Sequence, residues 1–375
     1  MSETADVLVI GGGIAGIGAA ARLAPDAKVI VLEQEEAIGY HSTGRSAAIF
    51  IRNYGNATIR ALNRFSEPVM REPEGIADSS LLSPRGELLV AREEDIPAFE
   101  AYIAGSDGME ELSPGEAAAL VPILRPERIS RAVIERDARD IDVDRLLQGF
   151  ARMLRAHGGK IVTRAEAKVI ARTGGVWKIR TNAGEFEAPV VINAAGAWAD
   201  VIARRADVPP VGLQPKRRSA VIIPAPDGHD VSHWPLFGSA AENWYAKPEA
   251  GKLMVSPADE DPVDPHDAWP DDMVLAEGIS RFEESTTVTV TRVERSWAGL
   301  RCFVADRTPV AGFAPDTEGF FWLAGQGGYG VQTSPALSQL AADLVLGRPA
   351  PLAPEVVAAL SPARAGLFIQ KEATP

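Results

Sequence analysis

Short unbroken apolar runs alternate along this chain with segments of helical period, and the order of the two predicts most of the elements. Val7–Ile10 is a four-residue apolar run that reads as a buried strand, and Lys28–Leu32 reads as a second. Between them, residues 13–24 are alanine-rich and predict a helix. Gly39–Ala48 is polar, punctuated by glycine and unlike a helix. Thr58–Met70 carries Ile59, Leu62, Phe65 and Val69 at helical spacing. Leu81–Val90 reads as extended, with a turn at Pro84-Arg85-Gly86. Ser113 and Pro114 open a helix through Leu120, with Glu116 placed for a capping box. Asp142–Leu154 is amphipathic, with Val143, Leu146, Leu147, Phe150 and Met153 on one face.

A meander follows. Lys160–Thr163, Ala167–Arg172 and Val176–Thr181 predict short strands, with a hairpin turn at Gly174-Gly175, and Glu185–Ala188 pairs back across Asn182-Ala183-Gly184. Val190–Asn193 is another buried strand, ending in the small residues Ala194–Ala197. Leu213–Pro224 and Thr286–Val293 predict strands of a second sheet, the latter alternating threonine with valine. Pro257–Asp272, acidic and proline-rich, reads as a solvated connection, and Met273–Phe282 as a helix. Gly319–Leu323 predicts a strand, Gly325–Gly330 a glycine turn and Ser334–Leu346 a helix. Dinucleotide-type elements thus stand at the start, middle and end, with another sheet between. The arrangement predicts an α/β fold. A discontinuous Rossmann-like unit (residues 1–80, 140–211 and 302–375) carries an inserted α+β unit (81–139 and 212–301) on a mostly antiparallel sheet.

The first βαβ unit carries chemistry. Gly11-Gly12-Gly13-Ile14-Ala15-Gly16 is G-x-G-x-x-G, placed where a strand turns into a helix. Gly11 serves the tight turn, Gly13 lets a pyrophosphate approach the backbone, and Gly16 lets helix and strand pack. The helix aims its N-terminal dipole at the phosphates. Glu33, 17 residues after Gly16, stands where a carboxylate accepts from the ribose hydroxyls. The C-terminal strand, Gly327, Gly328 and Gly330, and a helix opening after Thr333 decide between dinucleotides. Such a return suits FAD, whose isoalloxazine gains from a positive dipole near N1 and O2. A nicotinamide enzyme demands no such C-terminal return.

Composition narrows the setting. The 375 residues are 46% hydrophobic, with a net charge of -13 that argues against nucleic-acid and anionic-membrane partners. The single cysteine, Cys302, excludes an intrachain disulfide. No run approaches the ~18 apolar residues of a membrane span, and the N-terminal apolar run is the first strand rather than a leader. A soluble cytoplasmic protein is expected. No metal site is expected: His229 and His233 are four apart but lie among prolines, where a helix is disfavoured.

Gly11–Gly16 with Glu33, the Gly39–Ser46 loop, Asn193–Trp198 and the Gly325–Gly330 turn resemble the FAD-dependent D-amino-acid oxidoreductases, the DAO family, over nearly the whole chain. Within it, GYHSTGRSAA (39–48), LLSPRGE (81–87), GLQPKRRSA (212–220), WAGLR (297–301), FVAD (303–306) and QGGYGVQTS (326–334) look closest to the bacterial catabolic D-arginine dehydrogenases. The resemblance implies a glutathione-reductase-type FAD fold with non-covalent FAD. It places around the cofactor Gly11, Gly13, Ile14, Ala15 and Gly16, Glu33 and Gln34, and His41, Ser42, Thr43, Arg45, Ser46, Ala47 and Ala48. It adds Val169 near the adenine, then Ala195, Gly196, Trp198, Gly299, Arg301, Gly327, Gly328, Tyr329, Gly330, Val331, Gln332 and Thr333. Arg218 and Arg301 would grip a substrate carboxylate, Tyr54 and Tyr245 would close over the substrate, and Glu87 would face a distal cationic group. Gly328 and Gln332 would also border the substrate.

The chain departs from that pattern at Ile49, Ile51, Leu236 and Gly238, where histidine, threonine, methionine and valine would stand. Ile49 and Ile51 remove polar groups near the reacting amine. Two buried arginines without acidic partners imply an anionic ligand; Arg218 could equally be a strand-surface charge and Glu87 a solvated one. Cys302 is either a small buried residue or, as in some sarcosine oxidases, a flavin attachment point. The expected reaction is oxidative deamination of a basic D-amino acid to an imino acid, then to a 2-oxo acid and ammonia. Alternatives are oxidation of a secondary amine or opine, of glycine or sarcosine, or of a 2-hydroxy acid, and a flavin-binding module without turnover. The electron acceptor stays open among oxygen, a quinone and a carrier protein.

Overall fold

A six-stranded sheet organises the first layer. In the computed structural model, which describes residues 2–367, its order is Lys160–Val162, Val29–Leu32, Val7–Ile10, Val190–Asn193, Phe320–Ala324 and Val310–Phe313. All neighbours are parallel except the last pair. Residues 368–375, the tail of the expected cofactor unit, lie outside the described residues. The four central strands are buried on both faces, as their unbroken apolar runs require. Val7, Val9, Val29, Val31 and Ile192 face the helices Ile14–Leu23, Val143–Ala156 and Ser334–Val345. Leu8, Ile10, Ile30, Leu32 and Val191 face the meander Val169–Thr173, Val176–Thr181 and Gly184–Ala188.

The second layer is larger than the sequence pattern suggests. Its eight strands run in the order Arg295–Phe303, Gln214–Ile223, Lys252–Ser256, Tyr245–Glu249, Leu236–Ser239, Glu87–Ala91, Arg131–Glu135 and Glu110–Leu112. Every pairing is antiparallel except that of Leu236–Ser239 with Glu87–Ala91. Alternation sorts the side chains. Val221, Ile223, Leu253, Val255, Ala246, Phe237 and Leu88 form a core with the helix Asp272–Ser285. Residues of the other parity, among them Arg218, Met254, Tyr245 and Glu87, share the opposite face. A three-stranded sheet, Ile49–Phe50, Arg139–Ile141 and Leu82–Pro84, links the two layers.

The expected capping box at Ser113 and Glu116 is present, and the expected helix at Thr58–Met70 spans Ala57–Arg71. Two expectations need correction. Thr286–Val293 is not a strand of the second sheet. Val288 and Val290 pack against the core of that sheet, but among the described residues the segment makes only an isolated bridge, Thr286 to Leu124, and Arg295–Phe303 takes the place beside Gln214–Ile223. Alternation reports one buried face; it does not report a neighbouring strand. Nor is Pro257–Asp272 merely solvated: Asp259 is 9% exposed, and Asp259, Glu260 and Asp261 hold groups on the Gln214–Ile223 strand.

Gly11 has a φ of 113°, which a side chain would strain, and a Cβ on Gly16 would lie 2.0 Å from the Gly11 carbonyl oxygen. Gly16→Val is expected to push helix from strand and to cost about 1–3 kcal/mol, read by denaturant unfolding. An unchanged midpoint would show that the close approach is not required.

Candidate active site

One cavity opens at the carboxyl ends of the Val7–Ile10 and Val190–Asn193 strands, the crevice where open α/β sheets bind ligands. It runs from Glu33, Gln34, Ala165 and Ala167, past Gly11, Gly13, Ile14 and Ala15, along His41–Thr43, Arg45, Ser46 and Ala47. It continues by Ala195, Gly196 and Trp198 to Gly299, Arg301, Gly327, Gly328, Gly330 and Val331, with Arg218, Tyr245 and Met254 at the far end. The first turn of the Ile14–Leu23 helix is held from the loop: the Ile14 N–H donates to Thr43 Oγ1 at 3.1 Å. Glu33 accepts from the Gly12 N–H (2.6 Å) and the Glu35 N–H (2.8 Å) and still lines the cavity. His41 Nε2 lies 2.9 Å from Glu35 Oε1, and its ring lies 4.6 Å from that of Trp198. Segment 42–45 forms a tight 3-10 turn tied to the sheet edge: Ser42 Oγ donates to the Leu300 carbonyl, and Arg45 donates to Asp267 (2.5 Å) and to the carbonyls of Ala268 and Ala298.

At the far end the cations differ. Arg218 Nε donates to the Asp259 carbonyl at 2.8 Å, and its Nη2 reaches Glu260 Oε1 at 3.2 Å. Glu260 also takes a bidentate pair from Arg307 and the ammonium of Lys216. Burial opposes its charge, but those hydrogen bonds, with the charges of Arg307 and Arg218, hold its carboxyl down at about 2. Arg301 has no acidic partner among the described residues; its Nη1 donates to the Tyr54 phenol at 3.3 Å. Burial disfavours its charge, yet Tyr54, Tyr245 and Glu242 hold its pKa above the ordinary value, so it stays a cation. The expectation of two unpaired arginines is thereby corrected: Arg218 is an ion-pair partner, and Arg301 alone faces the cavity without an anion.

Residues 6–344 match the family described as DAO, FAD dependent oxidoreductase. The chain belongs to this family. It is 24% identical over 367 residues to the glycine oxidase of Geobacillus kaustophilus, covering 92% of this chain and 94% of that one. It is 26% identical over 406 residues to the Bos taurus FAD-dependent oxidoreductase domain-containing protein 1, at 92% and 82% coverage. Among solved structures, glycine oxidase from Geobacillus kaustophilus superposes with a TM-score of 0.83 over 97% of this chain and 99% of that one, at 22% identity. L-proline dehydrogenase from P. horikoshii gives 0.83 over 96% and 98%, also at 22% identity.

FAD is the cofactor, and the cavity fits this family's dinucleotide. It is elongated, it begins at a carboxylate with free lone pairs, it passes a glycine turn at a helix N-terminus, and it ends beside a second glycine turn. That second turn is shaped by its neighbours. A Cβ on Gly328 would lie 2.9 Å from Arg301 Nη1, and one on Gly327 would collide with the Phe303 ring. Val169 does not border the cavity; it is 42% exposed on its strand, and Ala165 and Ala167 line that end instead. Gly16, Ala48, Tyr329, Gln332 and Thr333 support the walls rather than form them. Gln332 accepts from the Ile51 N–H and donates to Asn63 Oδ1, and Thr333 Oγ1 donates to the Tyr329 carbonyl. Cys302 is buried in the wall, and burial pushes its thiol up to about 12, which leaves no thiolate for attachment at neutral pH. No helix among the described residues is long and apolar enough to cross a membrane.

Tyr54, Ile49, Ile51 and Glu87 lie beyond the cavity wall. Ile51 is buried and Ile49 half-buried, in strand register with Asp140. Glu87 is 5% exposed and stands in register with Leu236, which is opposite Lys247, two residues from Tyr245. Burial, then the facing charge of Glu135, push its carboxyl up to about 8, against the hydrogen bond from Tyr102. Glu135, Asn53, Glu260 and Tyr102 were not legible as site residues. A glutamate closing the apolar run Arg131–Ile134 is the one signal the sequence offered.

Because Glu260 ionises well below an ordinary carboxyl, its contribution to stability is complete above about pH 4.5 and lost as pH falls toward 2. Glu260→Gln is expected to flatten that part of the stability profile and to destabilise at neutral pH. An unchanged acid limb in a pH series of denaturant titrations would contradict the network.

Proposed function

We propose that this enzyme oxidises the Cα–N bond of a D-amino acid, most readily one with a basic side chain. The observation that carries it is the Arg301 guanidinium, which borders the cavity beside Gly328 with a phenol as its sole side-chain partner. Such a group is matched by a carboxylate, which it binds in bidentate fashion. Residues 1–80, 140–211 and 302–375 hold the cofactor in this reading, and 81–139 with 212–301 supply the substrate face; the boundary at 301 falls within the Arg295–Phe303 strand. FAD, when bound, accepts the hydride that leaves Cα.

The chain's own residues do the rest by orientation. Arg301 fixes the carboxylate, with Tyr54 holding the guanidinium in place. Tyr245, three strands along the same sheet, also lines the cavity and limits how far the substrate can turn. Burial and the Glu242 charge raise the Tyr54 pKa, so its phenol remains protonated and serves as a donor rather than a base. Among the described residues, the carboxylates and imidazole that line the cavity, Glu33, Glu166 and His41, belong to its cofactor stretch, and none is hydrogen-bonded to Arg301. The substrate therefore reacts as the neutral amine, whose lone pair expels the hydride; the imino acid released hydrolyses to a 2-oxo acid and ammonia.

Glu87 supports the basic preference: a carboxyl on the sheet face shared with Arg218 and Tyr245, behind the cavity wall, with no cation hydrogen-bonded to it among the described residues. A second reading, a small neutral amino acid such as glycine, is favoured by Ile49 and Ile51 and by the relatives named glycine oxidase. Anaerobic mixing with D- and L-amino acids, sarcosine, an opine and 2-hydroxy acids tests both, read as bleaching of flavin absorbance. Basic D-amino acids should reduce the flavin at the lowest concentrations. Bleaching by glycine or sarcosine alone would overturn the reading.

The sign of the pH dependence follows from Glu87. Its carboxyl is neutral below about 8 and must ionise to pair with a cation, so preference for a basic over a neutral side chain rises with pH up to about 8. Glu87→Leu should remove that rise and cut the preference about tenfold to a hundredfold. A ratio of kcat/KM values for D-lysine and D-leucine that is flat with pH in the parent enzyme would count against Glu87.

A further inference from the structure

Helix Ile96–Ile103 lies on the same face of the eight-stranded sheet as Glu87. Its Phe99 and Tyr102 pack with Leu89, Ala91 and Val133, which share the parity of Glu87 and its cross-strand neighbour Glu135. From the last turn of this helix the Tyr102 phenol donates to Glu87 Oε2 at 2.7 Å. Among the described residues no protein donor hydrogen-bonds to Glu87 Oε1.

Among the described residues the surroundings hold negative charge and no cation hydrogen-bonded to Glu87. Glu135 stands opposite Glu87 and is occupied by the backbone N–H groups of Arg52 and Asn53 and by Asn53 Nδ2. Glu242, on the loop before Tyr245, acts on Glu87 and on Arg301 alike. The nearby cations are committed elsewhere: Arg52 to Glu67 and Lys247 to Asp140 and Glu249. Tyr54, whose phenol meets Arg301, is also near enough to Tyr102 to act on it. A chain of contacts joins the carboxylate anchor to the Glu87–Tyr102 pair: Tyr54 meets Arg301, its neighbour Asn53 in the preceding turn holds Glu135, and Glu135 pairs in register with Glu87, which Tyr102 holds.

We propose that Tyr102 is a specificity-setting positioning residue: it holds one oxygen of Glu87 and leaves the other for the cationic end of an amino-acid side chain. This rests on the reading of the ligand as an amino acid with a distal cation. When such a ligand binds, Glu87 loses its proton to solvent and pairs with the ligand's ammonium or guanidinium. Tyr102 keeps its own proton, since burial and Glu87 hold its pKa well above the ordinary value, and it donates to the carboxylate throughout. A hydrogen bond to a charged acceptor is stronger than one to a neutral acceptor, so the phenol favours the ionised, ligand-binding form.

The test compares D-lysine with D-norleucine, which lacks the terminal ammonium, on the anaerobic holoenzyme across pH. Tyr102→Phe should lower the ratio of D-lysine to D-norleucine affinity about fivefold to tenfold at pH 7 and move the midpoint of its pH dependence upward by about one unit. A pH indicator should report about one proton more released per site with D-lysine than with D-norleucine on the parent enzyme at pH 7, the proton of the shared α-ammonium cancelling in the difference; this needs no variant. An unchanged ratio and midpoint in Tyr102→Phe, with the preference lost in Glu87→Gln, overturns the role of Tyr102 and leaves the basic-substrate reading standing. A parent enzyme with no preference for D-lysine and no excess proton release with it overturns both.

Discussion

An unpaired guanidinium is the constraint on which the site depends. Arg301 sits at the edge of the second sheet, against a glycine whose missing Cβ gives it room, and its one side-chain partner is a phenol. A cation held out of water without an anion is unfavourable. The surrounding structure maintains it, as a binding site for an anionic ligand requires. Tyr54 is part of that support. Its turn is pinned from three sides: Gln332 and Asn63 hold the backbone of Ile51, and Glu135 holds the N–H groups of Arg52 and Asn53. Those contacts come from the C-terminal glycine turn, the Ala57–Arg71 helix and the second sheet, so both layers converge on one phenol.

The other cations of the region have an acidic partner, shared or single, among the described residues, which makes Arg301 distinctive. Lys216, Arg218 and Arg307 share Glu260, Arg217 takes Asp261, and Arg45 takes Asp267. All three acids come from the acidic, proline-rich segment 257–272. That segment neutralises the cavity rim selectively and brings no carboxylate to Arg301. Burial acts in the opposite sense on the far side, where it pushes the Glu87 carboxyl up to about 8; in the proposed reading a cationic side chain would draw off that proton. Orientation at one end and charge selection at the other are thus separate, and they can vary independently.

What the sequence made legible was local. The three glycines of the first turn act through neighbours a few residues away, and their roles follow from one strand-turn-helix unit, as the contact of Gly16 with Gly11 illustrates. Glu33 was legible for the same reason. What escaped depended on partners distant in sequence. Arg218 looked unpaired because Glu260 lies 42 residues on. Thr286–Val293 looked like a strand because alternation records a buried face and not a ladder. Val169 was misplaced by two residues, since the cavity is reached by Ala167, where the chain enters the meander. Tyr102 gave no signal, because a tyrosine on a short apolar helix reads as packing until the sheet places Glu87 beneath it.

The most direct measurement concerns Arg301 itself. Holoenzyme is titrated with an aliphatic carboxylate that cannot be oxidised, and with the matching alkylamine that lacks the carboxylate, following the flavin spectrum. The carboxylate should bind and the amine should not, and Arg301→Met should abolish carboxylate binding while retaining FAD. Equal binding of the amine, or undiminished carboxylate binding by Arg301→Met, would contradict the account.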